Sequence, residues 1–321
     1  MPRFEKGSQE AKDYMAKLRN KKGIEGGSLT EKQKMKITKD TNIQEITEER
    51  ADKDYEKLRK IDCNNIDELS QAILTGNNFV DYFTKIRRLE TASKKGISFY
   101  DLMETKSKYR GKNWIDSYLE KYGDTTASWL RIFSLYFGSI SVFKPIVAMN
   151  VYCKYKPRSV LDFTMGWGGR LVGACALNVE RYTGIDMNTS LKKHYDNMVD
   201  KLKEHTTTKI TLLFKNALKV DYSKIDYDLV LTSPPYYNIE TYKGQQKMDK
   251  DKWDAEFYEP IFTKTWKHLK KGGYYCLNVP EEVFTRVCLK VLGKPTEYIP
   301  LHKNKRRPDE TYKEFIYVWR K

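Results

Sequence analysis

The chain has 321 residues, 59 Lys and Arg against 43 Asp and Glu for a net charge of +16, and a mean hydropathy of −0.71. That length holds one large domain or two modest ones, with a core that needs no staples. No apolar run nears the roughly 18 residues of a membrane span, and Met1–Asn20 lacks the apolar stretch of a secretory signal.

The surplus of cations favours a polyanionic partner, DNA, RNA or an anionic membrane surface, or else marks a Lys-rich surface with no such partner. Five cysteines, Cys63, Cys153, Cys175, Cys276 and Cys288, show no CxxC spacing. The scatter reads against a disulfide framework or a zinc site and for a reducing compartment. The histidines are scattered too, so no metal is expected.

Residues 1–60 are densely charged with mixed signs and few apolar side chains, which predicts a partly flexible arm followed by a surface helix. Residues 61–140 read as helical, with Ile61, Ile66, Leu69, Ile73 and Leu74 at helix-like spacing and Asn65 or Asp67 as a cap. Cations follow among aromatics: Arg87, Arg88, Lys94, Lys95, Lys108 and Arg110 beside Tyr82, Phe83, Phe99, Tyr100, Tyr109 and Trp114. This pattern suits phosphate contact with base stacking, or else a solvated helical face over an aromatic core.

Residues 141–321 change texture. Short apolar runs at Ser159–Asp162, Tyr182–Asp186, Ile210–Phe214, Tyr227–Thr232 and Tyr274–Asn278 read as strands. Leu171–Asn178, Ser190–His205 and Glu256–Lys271 read as helices between them. The alternation predicts an α/β domain with a mostly parallel, doubly wound sheet and ligands at the strands' carboxyl ends. Phe315–Trp319 predicts a final strand pairing antiparallel with Tyr298–Leu301.

Two loops carry the chemistry. The first strand runs into Asp162-Phe163-Thr164-Met165-Gly166-Trp167-Gly168, where glycines let a ligand approach the backbone. The next strand ends in Asp186, followed by Met187; a carboxylate there can accept both hydroxyls of a ribose, as adenosine-bearing cofactors require. The fourth strand ends in Ser233-Pro234-Pro235-Tyr236-Tyr237. Two prolines stiffen the turn and remove two N–H donors, leaving the Ser233 and Pro234 carbonyls as fixed acceptors. With the Ser233 hydroxyl and the Tyr236 ring they suit an extruded base bearing an exocyclic amine.

Together, Asp162–Arg170, Gly184-Ile185-Asp186 and Ser233–Tyr236 resemble the DNA amino-methyltransferases. These use S-adenosyl-L-methionine to methylate cytosine N4 or adenine N6, as in restriction-modification. The resemblance implies a Rossmann-like catalytic domain preceded by a helical region, with Ser233, Pro234, Pro235 and Tyr236 catalytic. It implies cofactor contacts from Phe143, Pro145, Asp162, Phe163, Thr164, Gly166, Trp167, Gly168, Asp186, Met187, Asn216 and Ala217, with an aromatic shelf drawn from Phe163 or Trp167. It implies nucleic-acid contact from Tyr237, and from Asn238–Lys252 closing over a flipped base. Ser before Pro-Pro-Tyr resembles the cytosine-N4 members more than the adenine-N6 ones. Three alternatives stay open: an adenine-N6 enzyme, an RNA or protein-amide methyltransferase, and a catalytically silent nucleic-acid-binding subunit. The little chain after Tyr237 is needed for the sheet, so recognition falls to the N-terminal part, to loops, or to a recognition or nuclease partner. The location implied is cytoplasmic in a bacterial, phage or viral source and nuclear in a eukaryotic one, not secreted.

Overall fold

The computed structural model describes residues 29–43, 46–67, 70, 73–93, 95–138, 140–237, 249–301 and 314–321. The chain divides into two compact units, one of Asn42–Leu89 with Ile140–Lys321 and one of Met1–Thr41 with Glu90–Ser139.

The larger unit is built on a seven-stranded sheet. Its helices and strands, in chain order, are α1 (Glu48–Arg59), α2 (Asn77–Leu89), α3 (Pro145–Tyr155), β1 (Ser159–Asp162), α4 (Gly169–Ala176), β2 (Arg181–Asp186), α5 (Lys192–Lys203), β3 (Lys209–Phe214), β4 (Leu229–Thr232), α6 (Glu259–His268), β5 (Tyr274–Asn278), β6 (Glu297–Leu301) and β7 (Glu314–Arg320). The strand order is β3-β2-β1-β4-β5-β7-β6. The first five strands are parallel; β7 lies antiparallel to both β5 and β6. This is the expected α/β class with the expected antiparallel end.

The physical reasons are local. β1 and β4 are buried at every position around the apolar centres Val160-Leu161 and Leu229-Val230-Leu231, as strands of a sheet covered on both faces are. β6 carries Pro300, which an edge strand tolerates because one side of it needs no donors. β1 has β2 on one side and β4 on the other, so the connections leave in opposite directions and open a crevice at the carboxyl ends. α4 is buried throughout and has small residues at Gly169, Gly173, Ala174, Cys175 and Ala176, which lets it pack hard on α3: a Cβ on Gly173 would stand 2.7 Å from the Pro145 carbonyl oxygen.

Two sequence expectations fail here. α1 is no surface helix: Ala51, Tyr55 and Leu58 share one face by their spacing and are buried in the main core. The charged remainder of the helix, including Glu48, Glu49, Lys53 and Lys57, masked that narrow stripe. Cys63 and Cys153 are joined in a disulfide with Cα atoms 5.4 Å apart, pinning the turn after α1 to α3. Their separation of 90 residues gave the sequence no spacing signal. Cys175, Cys276 and Cys288 are free and buried.

The smaller unit is helical, with Glu31–Thr41, Phe99–Glu104, Asn113–Tyr122 and Thr126–Ile132. Phe99, Tyr100, Leu102, Trp129, Ile132 and Phe133 form its interior. Phe99–Glu104 starts with a capping box in which Ser98 and Asp101 bond reciprocally. No helix of the described residues is long and apolar enough to cross a membrane. Residues 1–28, most of the expected arm, lie outside the described residues, as do Leu69 of the helix expected around Ile66 and most of the Asn238–Lys252 segment.

Candidate active site

Two loops meet at the carboxyl ends of β1 and β4. In the first, Gly166 (φ +57°) and Gly168 (φ +94°) occupy left-handed positions where a side chain is strained. A Cβ on Gly168 would also stand 2.9 Å from Met198 Sδ. The turn is tied from two sides. Met165 N–H donates to the Ile185 carbonyl at 2.9 Å and Gly166 N–H donates to Asp186 Oδ2 at 3.0 Å. The Tyr195 hydroxyl, from α5, donates to the Gly166 carbonyl at 3.0 Å.

Asp162 is wholly buried and gathers four donors: Arg170 Nε at 2.7 Å, the Tyr182 hydroxyl at 2.7 Å, the Thr232 hydroxyl at 2.9 Å and, at the long end, Thr164 N–H at 3.4 Å. Burial opposes the Arg170 charge, but the Asp162 carboxylate more than offsets it and holds the guanidinium pKa above its ordinary value. Arg170 also donates to the Thr164 carbonyl. The Thr164 and Thr232 hydroxyls lie 2.6 Å apart. Asp162 therefore acts inside the protein, locking the glycine turn to the end of β4.

Asp186 is half-buried, and its oxygens accept Gly166 N–H at 3.0 Å and Asn188 N–H at 2.8 Å. Burial pushes its carboxyl pKa up, against the pull of those two N–H groups. Each oxygen keeps a lone pair for a further donor. Beside it Met187 is 72% exposed, an apolar surface at the mouth of the crevice. A half-buried acceptor, an exposed thioether and a turn that only glycines can make fit the ribose, the adenine and the methionine end of S-adenosylmethionine. Phe143 stands against the end of this turn, and Pro145 lies further along, against Gly173 of α4. A Cβ on Gly169 would overlap the Phe143 carbonyl oxygen at 1.8 Å, and the Phe143 ring centroid lies 5.0 Å from the Arg170 guanidinium carbon. Asn216 accepts Leu218 N–H at 2.9 Å, capping the turn after β3, and Ala217 is buried. Phe163 and Trp167 are buried as well, Phe163 against Phe262, so neither offers the expected aromatic shelf on the surface.

The second loop follows β4. The Ser233 and Tyr236 hydroxyls lie 3.1 Å apart, and both donate to Asn278 Oδ1 at the end of β5, at 3.2 Å and 2.9 Å. Behind the turn, the Tyr258 hydroxyl donates to the Pro235 carbonyl and accepts Tyr237 N–H at 3.1 Å. This leaves the Ser233 and Pro234 carbonyls as the acceptors the turn can offer a ligand. Tyr237 sits at φ +49°, buried, with its hydroxyl donating to Asp254 at 3.0 Å. Its ring belongs to the loop's foundation and is not presented to nucleic acid.

The basic residues fall in both units. In the larger, Arg87 donates to the Ser190 hydroxyl at 3.3 Å and Arg88 pairs with Asp81 at 2.5 Å. In the smaller, Lys95 lies 5.3 Å from the Phe137 ring, Lys108 is exposed, and Arg110 pairs with Asp124. There too Trp114 is exposed, its ring 3.8 Å from that of Tyr136. Lys94 lies outside the described residues. No group of His, Cys, Asp or Glu among the described residues could hold a metal ion.

Sequence reasoning missed Thr232, Tyr258 and Asn278. The signal for Asn278 was present: a polar side chain ending an apolar strand, where such sheets place ligands.

The family model of the Eco57I restriction-modification methylase matches residues 125–298, more than half of the chain. No match was found among curated proteins. Among solved structures, a SAM-dependent O-methyltransferase of Thermotoga maritima is similar at 12% identity and TM-score 0.40, over 60% of this chain and 69% of that one. An rRNA methylase of Streptococcus thermophilus is similar at 13% and 0.37, over 56% and 99%. A tRNA m1G37 methyltransferase of M. jannaschii is similar at 14% and 0.34, over 57% and 51%.

Proposed function

The chain belongs to the Eco57I restriction-modification methylase family, and from that premise we propose that it methylates the exocyclic amino group of a base in DNA, cytosine N4 ahead of adenine N6. Methyl transfer with S-adenosylmethionine as donor is the family's chemistry; the base and the DNA are our reading. The observation that carries it is the convergence of two hydroxyls and two stiffened carbonyls at Ser233–Tyr236, fastened to the glycine turn through Thr232 and Asp162.

When bound, the cofactor would supply an electrophilic methyl on a sulfonium, the carbon–sulfur electron pair staying with the thioether product and the proton displaced from the amine passing to solvent. An exocyclic amine is a poor nucleophile because its lone pair is delocalised into the ring. The Pro234 carbonyl and the Ser233 oxygen hold its two hydrogens, which favours the pyramidal nitrogen that attack needs. Fixed acceptors in a water-poor crevice do this without reorganising. The Tyr236 ring offers the base a face. A duplex base must be flipped to reach them, at a few kcal/mol. The net charge of +16 suits the phosphate backbone.

The test is single-turnover transfer from labelled cofactor to mixed-sequence DNA and RNA, with nucleoside mass spectrometry of the product. Tyr236→Ala should lose a stacking surface of about 1–3 kcal/mol, and Ser233→Ala about 10²-fold in rate, both with cofactor affinity retained. N4-methylcytosine in the parent product supports the reading. N6-methyladenine or a methylated RNA base would replace it. Parental rates in both variants would remove the Ser-Pro-Pro-Tyr loop from the chemistry.

A further inference from the structure

Asn278 ends β5 and is buried. Its Nδ2 donates to Glu314 Oε1 at 3.1 Å and to the Phe315 backbone carbonyl at 3.1 Å. A carbonyl oxygen can only accept, so the amide has one orientation: nitrogen toward β7, oxygen toward the catalytic loop. That oxygen takes the Ser233 and Tyr236 hydroxyls at 3.2 Å and 2.9 Å.

The consequence concerns where hydroxyl protons point. A serine hydroxyl has one proton and two lone pairs. For Ser233 to hold a hydrogen of the target amine, its own proton must be directed elsewhere. If that proton faced the amine, two donors would meet and the nitrogen lone pair would be drawn into accepting, the reverse of what attack needs. The Tyr236 phenol has its own proton in the same place, which also fixes the rotation of the ring beneath a base. Without the Asn278 side chain, Tyr236 would keep the Asn278 backbone carbonyl at 3.3 Å, while the Ser233 hydroxyl would lose its fixed acceptor and could meet Tyr236, 3.1 Å away, in either sense.

We propose that Asn278 is a positioning residue for methyl transfer, whose side-chain oxygen collects the Ser233 and Tyr236 protons so that the Ser233 lone pairs face the target amine. The inference rests on the function proposed above. Glu314 and Phe315, from β7, are the supports that keep the amide from turning over.

The test compares parent, Asn278→Ala and Asn278→Asp in single-turnover transfer to DNA, with cofactor affinity and melting as checks on the fold. Asn278→Ala should cut the transfer rate about 10²-fold, the loss typical of one preorganised polar group, with cofactor affinity unchanged. Asn278→Asp keeps an oxygen toward Ser233 and Tyr236 but sets a second one against Glu314 and the Phe315 carbonyl. When both carboxylates are charged they repel. When the new carboxyl holds a proton it can donate as the amide did. The Asn278→Asp rate should therefore rise as pH falls, with a midpoint above the ordinary aspartate range because a like charge adjoins it. A packing role alone would give no such profile. An active parent with Asn278→Ala at parental rate, or an Asn278→Asp loss equal across pH, overturns this inference and leaves the function standing. A parent that methylates no nucleic acid overturns both.

Discussion

Tyr258→Phe deletes one oxygen and should disturb the catalytic loop more than its size suggests. The hydroxyl donates to the Pro235 carbonyl and accepts Tyr237 N–H at 3.1 Å. Tyr258 and Tyr237 are both buried, so water cannot replace the bond to Tyr237 N–H, while the half-buried Pro235 carbonyl can recover part of its own. Leaving a buried donor and acceptor unmade costs about 1–3 kcal/mol, and about 2 kcal/mol is reasonable for this partly relaxable pair. At about 2–4 °C per kcal/mol for a unit this large, the melting temperature should fall about 4–8 °C. The rate should suffer separately. Tyr237 sits at φ +49°, a left-handed conformation that costs a tyrosine about 1–2 kcal/mol and needs its anchors. Without the Tyr258 hydroxyl the turn can relax, and a displacement near 1 Å at the reacting centre costs about 10²-fold. Thermal melts and single-turnover transfer of parent and variant, side by side, measure both. If Tyr258→Phe melts within about 1 °C of the parent, below what one lost buried hydrogen bond costs, and transfers as fast, the loop is not held from behind as described.

Asp186→Ala should weaken S-adenosylmethionine binding by about 1–3 kcal/mol in calorimetry, by leaving ribose hydroxyls unpaired. Because burial raises the Asp186 pKa, affinity should fall on acidification starting from a pH above the ordinary aspartate range, whereas a pH-independent affinity would take Asp186 off the ribose. DNA binding should fall with salt by about 0.9 log units per log unit for each phosphate contacted. Neutralising Arg87, Lys94, Lys95 and Lys108 together should flatten that slope by several units, and an unchanged slope would take these side chains off the phosphates. Cys63→Ser should lower unfolding free energy by about 2–4 kcal/mol, because the bond closes a long loop of the unfolded chain; denaturant midpoints that do not move under reductant would count against it.

The sheet was legible because its signals are short-range. Runs such as Ser159–Asp162 and Tyr227–Thr232 have apolar centres and end in chemistry-bearing loops; the structure keeps the first at those bounds and starts the second at Leu229. Pro300 did not hide β6 because edge strands accept it. What stayed hidden was side-chain partnership at long separation. Asp162 looked like a cofactor ligand, yet its partners Tyr182 and Thr232 come from two other strands. Tyr237 looked like an extension of the Ser-Pro-Pro-Tyr motif, and only the fold reveals Tyr258 and Asp254 beneath it. α1 was hidden for another reason: three buried apolar residues among charged ones fall below what composition can flag.

Asp162 receives its donors from the cofactor turn, from β2, from the head of α4 and from the last residue of β4. The two halves of the site thus have correlated fates. On the function proposed above, a chain in which Asp186 alone decays would still present a base-holding loop, and one in which Ser233 alone decays would still cradle an adenosine. A lesion at Asp162 spares neither, and it strands the Arg170 guanidinium in a dry interior. Such a position has no intermediate grades of failure. Among descendants of this chain, a silenced enzyme kept for binding should have lost the rim of the crevice and retained its hub.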